Sequence, residues 1–426
     1  MATTQLNKTL GTPTNNYKWT ISCWIKRAAL GDQTIMSARV DGSNNARLYF
    51  NSSDQLSIVD YQSTNKMELV TSSVYRDVGA FYNIVVSSDN SLGSPVTKMY
   101  VNGVETTNGT STQYSQNQAN LWNSAIAHYI GQNGASASYY NGLISYFAFV
   151  DGTAYDASYF GETNAATGIW TIKTSPSVTY GTNGFFLKMD TSSPGSDTSG
   201  NNNTFTASGT PTLAQDNASN NLVTMNPLCN VAGRWTITNG NNTIQHANGG
   251  AWTAMISSIA SSVGKYYMET KITAGASRVM FGVMSADTNI MSYETNLDSI
   301  CLYYNLSGGE FQQSGGTTSG NNYGTFADND IAGIALDCTN NKISIYKNGT
   351  ALVTDHTIPT TVTGPIGFGF TSDSNSTIYQ CNYGNGFFGT TAVASSNADA
   401  AGHGLMEYAV PTGFYTLNTK NLNTYG

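Results

Sequence analysis

Lys98-Met-Tyr-Val-Asn-Gly-Val104 and Lys342-Ile-Ser-Ile-Tyr-Lys-Asn-Gly-Thr350 are the two stretches that decide the fold. Each carries an apolar–polar alternation straight into Asn-Gly and out again into β-type residues. Asn and Gly accept the positive φ angles of a two-residue turn, so this dipeptide between alternating flanks is the strongest short hairpin signal. Met99 and Val101 share one face in the first stretch, Ile343 and Ile345 in the second. Each has a partner strand upstream, Phe81-Tyr-Asn-Ile-Val-Val86 and Ile331-Ala-Gly-Ile-Ala-Leu336, joined through the polar turns Ser87–Pro95 and Asp337–Asn341. The same strand–turn–strand–Asn-Gly arrangement thus occurs twice, which predicts one architecture used in tandem.

The rest of the 426 residues agrees with β structure. Alternation recurs in Thr20-Ile-Ser-Cys-Trp-Ile25, and Arg278-Val-Met-Phe-Gly-Val283 and Pro365-Ile-Gly-Phe-Gly-Phe370 mix bulky residues with glycine. Charged residues are only 10%, and 43 glycines and 26 tyrosines fill out an Asn-, Ser- and Thr-rich chain. Such a composition disfavours long amphipathic helices. One helical turn is expected at Asp156-Ala-Ser-Tyr-Phe-Gly161, with Asp156 as N-cap. The polar run Asp190–Asn221 marks a boundary, in which Thr204-Phe-Thr206 could form an edge strand, and Ala392–Gly404 is a second polar run. The expected domains are 1–190, a linker at 191–228, 229–390, and an extension at 391–426 that packs on a domain or a partner.

Charge and cysteine usage exclude several function classes. Up to Gln215 there are 11 basic and 13 acidic residues (−2), and from Asp216 onward 7 and 13 (−6). Neither half has the Lys/Arg excess that phosphate backbones demand, so no nucleic acid is expected. No run approaches a membrane span, and none is expected to insert. Met1-Ala-Thr-Thr-Gln-Leu-Asn-Lys8 lacks the pattern of a signal peptide. Cys23, Cys229, Cys301, Cys338 and Cys381 are scattered, without a Cys-x-x-Cys, and read as buried free thiols made in a reducing cytosol.

The sequence shows no motif of reactive chemistry. The seven Glu are isolated, and no Glu-x-Asp-x-Glu offers the paired carboxylates of a glycosidase. Asp328 and Asp330 read as a turn before a strand, and Glu294 and Asp298 as loop residues. His128 lies on an expected strand and reads as packed. Gly384-Asn-Gly-Phe-Phe-Gly389 opens no βαβ unit and reads as a sharp turn. Asp41-Gly-Ser-Asn-Asn45 could supply oxygens to calcium, although turn chemistry explains the same residues. No catalytic residue, no metal site and no cofactor other than a possible Ca2+ is expected. What remains is recognition, in which aromatic faces stack on sugar C–H faces and amides bind hydroxyls. The candidate loops carry Tyr114, Trp122, Tyr139, Tyr140, Asn141, Tyr293, Asn296 and Tyr323.

Family patterns emerge from these same elements. Trp19-Thr-Ile-Ser-Cys-Trp-Ile-Lys26, Tyr82-Asn-Ile-Val-Val86, Lys98-Met-Tyr-Val-Asn-Gly103, His128-Tyr-Ile-Gly131 and Tyr140-Asn-Gly-Leu-Ile-Ser-Tyr-Phe147 follow in the order of the laminin-G-like branch of the concanavalin A-like lectins and glucanases. Residues 15–190 resemble that branch. Gly264-Lys-Tyr-Tyr-Met-Glu-Thr270, Phe281-Gly-Val283, Asp330-Ile-Ala-Gly-Ile-Ala-Leu-Asp337 and Lys342-Ile-Ser-Ile-Tyr-Lys-Asn-Gly349 make residues 230–385 resemble a SPRY domain. The resemblance implies an all-β protein of two antiparallel concanavalin A-like/SPRY β-sandwich (jelly-roll) domains in tandem.

The joining segments Asp197-Thr-Ser-Gly-Asn201, Asn221-Leu-Val-Thr-Met-Asn-Pro-Leu228 and Pro411-Thr-Gly-Phe-Tyr-Thr-Leu-Asn-Thr-Lys-Asn-Leu422 look like those of tailed-phage virion proteins, marine and cyanobacterial phages especially. That likeness implies a noncatalytic tail fibre or similar appendage, located in the virion after synthesis in the host cytoplasm. It would bind a host-surface glycan or protein receptor and other virion proteins, as a homo-oligomer. The alternatives are a capsid- or tail-decorating protein without receptor role, and a polysaccharide depolymerase.

Overall fold

The structure, a computed structural model, describes residues 4–230, 233–250, 252–287, 300–305, 308–313 and 317–426. It is all-β, with 46% of residues in strands and 4% in helix. The chain forms two compact units. One runs to Leu213 and takes in Asn217–Ser219, and the other comprises Ala214–Asp216 and Asn220–Gly426.

The first unit packs an eight-stranded sheet on a six-stranded one. The eight-stranded order is Asn108–Thr112, Asn65–Val74, Gln55–Gln62, Asn44–Phe50, Gln33–Arg39, Ala127–Ile130, Gln5–Thr9 and Thr206–Ser208. The six-stranded order is Phe185–Leu187, Gly142–Asp151, Lys18–Arg27, Tyr82–Asp89, Val96–Val101 and Val104–Glu105. All of these pairings are antiparallel. Alternation decides what lies between the sheets: Ile21, Cys23, Ile25, Phe147 and Phe149 from one side meet Leu48, Phe50, Ile58 and Leu69 from the other.

The second unit repeats the plan. One sheet follows the order Trp235–Thr238, Thr243–His246, Ile378–Asn382, Lys265–Ala274, Ile331–Asp337, Lys342–Lys347 and Thr350–Thr357, and the short Tyr415–Thr416 strand joins Lys265–Ala274 in parallel. The other follows Thr253–Ile256, Ile366–Ser372, Val279–Ser285, Ile300–Tyr304, Glu310–Gln313 and Thr317–Thr318. Met268, Ile334, Ile343, Phe281, Phe368 and Phe370 are among the residues packed between them.

Both Asn-Gly turns have the expected backbone. Asn102 and Gly103 sit at φ 50° and 80°, Asn348 and Gly349 at 48° and 78°. Each Asn does a second job. Asn102 Oδ1 accepts from the Asn83 N–H at 2.8 Å, and Asn348 Oδ1 accepts from the Ile331 N–H at 2.8 Å. The turn is thereby tied to the neighbouring strand in the same way in both units.

Each hairpin-bearing sheet also has its outer face covered by a later segment of its own unit. In the first unit Val85, Ala148, Val150 and Phe186 lie under a strap contributed by Ala157, Phe160, Trp170, Val178 and Tyr180. Its 3-10 turn Ala157–Tyr159 is capped by Asp156, as expected. In the second unit Tyr267 and Ala335 lie under Met406, Val410 and Phe414.

Within the stretch 191–228, expected as a linker, both ends pack on the folded units. Thr206–Ser208 forms an edge strand on Gln5–Asn7, and Phe205 is buried. Asp197 organises the rest, because its carboxylate accepts from the N–H groups of Phe186, Ser199 and Asn203 and from the Ser199 hydroxyl. Farther on, Val223 and Met225 enter the second core. The 391–426 segment supplies the second strap and the helix Thr419–Tyr425. Gly384, Gly386 and Gly389 all take positive φ, and Asn382 Oδ1 accepts from the N–H groups of Gly384 and Gly386, which makes this run the turn leaving the Ile378–Asn382 strand.

Candidate recognition face

Carboxylates come first, because they separate hydrolysis from recognition. Asp151, almost fully buried, accepts from the N–H groups of Thr14, Asn15 and Asn183 and from the Asn123 amide. Burial pushes its pKa up, but those donors outweigh burial and hold it below the ordinary value. Asp54 accepts from the Gly31 N–H, Arg76 and the fully buried Arg27, whose guanidinium lies 4.1 Å from the centre of the Phe50 ring. Burial likewise loses there, and the carboxyl titrates low. Asp60 takes the Leu121 N–H, the Gln62 amide and the Tyr114 hydroxyl, yet burial dominates and raises it. Each of these groups fastens loops to strands.

Asp330 accepts from the Ala327 N–H, the Asn348 amide and Lys347, consistent with the turn reading of Asp328–Asp330. Glu294 and Asp298 lie outside the described residues. The Asp41 cluster is arranged as a turn. Asp41 Oδ1 accepts from Ser43 N, Asn44 N and the Asn44 amide, and its Oδ2 also faces that amide. Among the described residues, no three His, Cys, Asp or Glu side chains group together as metal ligands would.

The thiols and His128 serve packing. Cys23, Cys301, Cys338 and Cys381 are buried and Cys229 is half-buried, all as free thiols. Burial pushes Cys338 and Cys381 up to about 12, so neither supplies a thiolate near neutrality. His128 is enclosed, its two ring nitrogens facing the carbonyls of Ile126 and Trp122.

Three of the expected ligand-binding aromatics belong instead to the core. Tyr114, Trp122 and Tyr140 are 3%, 0% and 7% exposed. Tyr114 points inward because its hydroxyl reaches Asp60 at 2.8 Å, and Trp122 lies 5.8 Å from Trp19 in the sandwich interior. Tyr140 packs into the first core from the loop before Gly142–Asp151, and its neighbours Tyr139 and Asn141 are half-exposed and exposed. Tyr293 and Asn296 lie outside the described residues. Tyr323 is half-buried against Tyr303, Phe311 and His356, and its hydroxyl accepts from the Asn321 amide at 3.0 Å.

What the structure brings together instead is the outer face of the first unit's eight-stranded sheet. In Asn44–Phe50 the residues Ala46, Leu48 and Phe50 are buried, so Asn45, Arg47 and Tyr49 face outward. Register places Tyr129 opposite Ser37, Ser37 opposite Arg47, Tyr49 opposite Thr34, and Asn45 opposite Tyr61. Three half-exposed tyrosines, Tyr49, Tyr61 and Tyr129, therefore share this face.

Arg47 is fixed in the middle of it. Its Nε donates to Thr34 Oγ1 at 2.6 Å, its Nη1 donates to Asp32 at 3.1 Å, and the guanidinium lies 4.1 Å from the Tyr49 ring centre. The loop bearing Tyr139 and Asn141 docks beside it through Thr34 N–H to Ser138 O, 2.9 Å. The face thus offers aromatic plates, a fixed cation and amide groups. Tyr49, Tyr61 and Tyr129 were not among the expected residues; alternation at 45–49 signals Tyr49, whereas Tyr61 and Tyr129 join it only through register.

Residues 3–157 match a family model described as the concanavalin A-like lectin/glucanases superfamily, of the laminin-G type. The recognition face lies within that span. No curated protein matches the chain. Similar solved structures include the SPRY domain of human HERC1, with 16% identity, TM-score 0.29, and coverage of 34% of this chain and 91% of that one. Another is a Bacteroides ovatus protein to which carbohydrate binding is ascribed, with 15% identity, TM-score 0.36, and coverage of 49% and 56%. A third is the heptameric SAP-like pentraxin of Limulus polyphemus, with 18% identity, TM-score 0.28, and coverage of 36% and 71%. The first unit is a β-sandwich, and its residues 3–157 are similar to that superfamily.

Proposed function

We propose that the protein is a noncatalytic recognition protein that binds surface glycans through the outer face of its first sandwich, as an appendage of a tailed-phage virion. The observation that carries the glycan reading is the set of Tyr49, Tyr61 and Tyr129 around the fixed Arg47, on a sandwich matched to the lectin superfamily. Tyrosine rings present apolar faces to sugar C–H groups while Arg47, Asn45 and Asn141 bond hydroxyls. A held guanidinium loses little further freedom on binding, so a shallow face suffices. Several copies on one particle would multiply a weak single-site affinity. The virion placement rests on the phage-like joining segments 197–201, 221–228 and 411–422.

The test is a glycan array probed with the purified chain, followed by adsorption to bacterial cells in competition with phage. Retention on a subset of glycans that Tyr49→Ala weakens about tenfold or more supports the reading. Release of reducing ends from a bound polysaccharide would replace it with the depolymerase alternative.

A further inference from the structure

Six arginines occur in the chain, and five have their guanidinium engaged. Arg27 and Arg76 pair with Asp54, Arg47 with Asp32 and Arg278 with Asp373, while Arg234 donates to the Asn248 carbonyl. The sixth, Arg39, has no hydrogen-bond or ion-pair partner among the described residues.

Arg39 stands on the recognition face itself. Register sets Ala38 opposite Ala46, both buried, so Arg39, opposite Asn45, projects from the outer face with Ser37. On its other side Arg39 lies opposite Ala127, which puts Tyr129 two residues along the same face. Across Asn45 stands Tyr61.

Its stem is held while its head is left open. Gly134, at φ 74°, lies against both Arg39 and Tyr129: a Cβ there would stand 2.8 Å from Arg39 Cβ and Cδ and 3.2 Å from Tyr129 Cδ2. The loop carrying Gly134 is itself tied down. Gln132 O accepts from the Ser37 hydroxyl, and Asn133 Oδ1 accepts from the N–H groups of Ala135 and Ala137. The guanidinium reaches toward the 41–44 turn, with Nη2 3.9 Å from the place a Gly42 Cβ would take.

The nearby acids leave that charge unclaimed. Asp41 feels it, but its oxygens are taken by Ser43 and Asn44, whose hydrogen bonds lower its pKa more than Arg39 does. Asp32 is spent on Arg47. Glu68, opposite Val59, lies three strands away, roughly 14 Å at about 4.8 Å per strand and beyond a Debye length of about 8 Å. An unpaired, immobilised cation beside tyrosine rings complements a sugar that carries a carboxylate. The arginine fork meets a carboxylate through two parallel N–H···O bonds, and a held stem has little freedom left to lose.

We propose that the recognition face selects acidic glycans, with the Arg39 guanidinium pairing to the carboxylate of a uronic acid while the sugar chain lies over Tyr61 and Tyr129. The proposal rests on the glycan-binding reading above and names the class of glycan.

The experiment immobilises uronate-containing bacterial polysaccharides beside the same polysaccharides after carboxyl reduction, which turns each uronic acid into a neutral hexose, and beside naturally neutral ones. The unaltered full chain, Arg39→Gln and Arg39→Lys are applied at about 0.05 M and about 0.5 M NaCl, with folding followed by circular dichroism. The expected result is retention on uronate polysaccharides that carboxyl reduction and Arg39→Gln each weaken about tenfold or more, that Arg39→Lys keeps in part, and that salt reduces. Carboxyl reduction alters only the ligand, so it decides the matter even where Arg39→Gln disturbs the loop. Equal retention on native and carboxyl-reduced polysaccharides, or retention confined to neutral ones, overturns the acidic selection while the glycan reading stands. Retention on no polysaccharide overturns both.

Discussion

The two hairpins carry the same turn under different locks. In the first unit Trp170 covers Gly103 so closely that a Cβ there would stand 2.5 Å from the indole, and in the second Tyr408 covers Gly349 at the same 2.5 Å. The polar anchor beneath each cover differs. Trp170 Nε1 donates to the buried Asn83 amide oxygen at 3.0 Å, a neutral contact. Tyr408 is held through its backbone, because the buried Glu269 carboxylate accepts from the N–H groups of Tyr408 and Glu407, both at 2.8 Å. One geometry has thus been closed by an untitratable amide in one unit and by a titratable carboxyl in the other. The first lock is indifferent to pH, whereas the second answers to it.

The largest expected effect comes from filling the glycines. Gly103→Ala and Gly349→Ala each place a side chain at positive φ, at about 1–2 kcal/mol, and drive it into the covering ring as well. Hydrogen exchange across 98–105 and 343–351 should accelerate strongly in the respective variant and only there. Acceleration in both units from one substitution would break the picture of two self-contained copies. Next in size is Trp170→Ala, which removes the indole cover from the first strap and should cost about 2–3 kcal/mol, below the 3–5 of a fully buried tryptophan. Its readout is faster exchange in 146–187.

Glu269 provides the sharpest contrast. Burial pushes its carboxyl up to about 7 from an ordinary 4.5, and the two N–H groups and the Tyr267 hydroxyl only partly offset this. Because the folded state binds this proton more tightly than the unfolded chain does, the stabilising contribution is full below about 4.5. It declines as pH rises through about 7. Asp330 and Asp337 in the same unit titrate low and act in the opposite sense, so the comparison must be with Glu269→Gln. Relative to the unaltered chain, that variant should gain protection at 405–410 as pH goes from 5 to 8. The Trp170 strap should show no such trend. The smallest of these effects is expected for Asn102→Ala and Asn348→Ala, at about 1–2 kcal/mol each, from the lost bond to the neighbouring strand and the positive φ.

Much of this architecture was legible in the sequence. The hairpins, their partner strands, the buried cysteines and the Asp156 cap follow from alternation and turn chemistry alone. The polar run 191–208 was not legible as folded structure, because its order comes from one carboxylate, Asp197, collecting backbone donors from residues 11 positions before it to 6 after. The recognition face was harder still. Tyrosine is both a core residue and a surface one, and contacts distant in sequence decide which. Tyr114 looked like a loop aromatic, yet Asp60, 54 residues away, draws it inside. Tyr49 looked like a strand residue among many, and becomes distinctive only when register sets it opposite Thr34 under Arg47.

The claim that this protein works by recognition at aromatic faces is tested most directly by one array measurement. The unaltered chain and a Tyr49→Ala/Tyr129→Ala double variant are applied side by side to immobilised bacterial surface glycans, with folding confirmed by circular dichroism. The account predicts that the unaltered chain is retained on a restricted set of glycans and that the double variant loses most of that signal. Equal retention of the two proteins would contradict it.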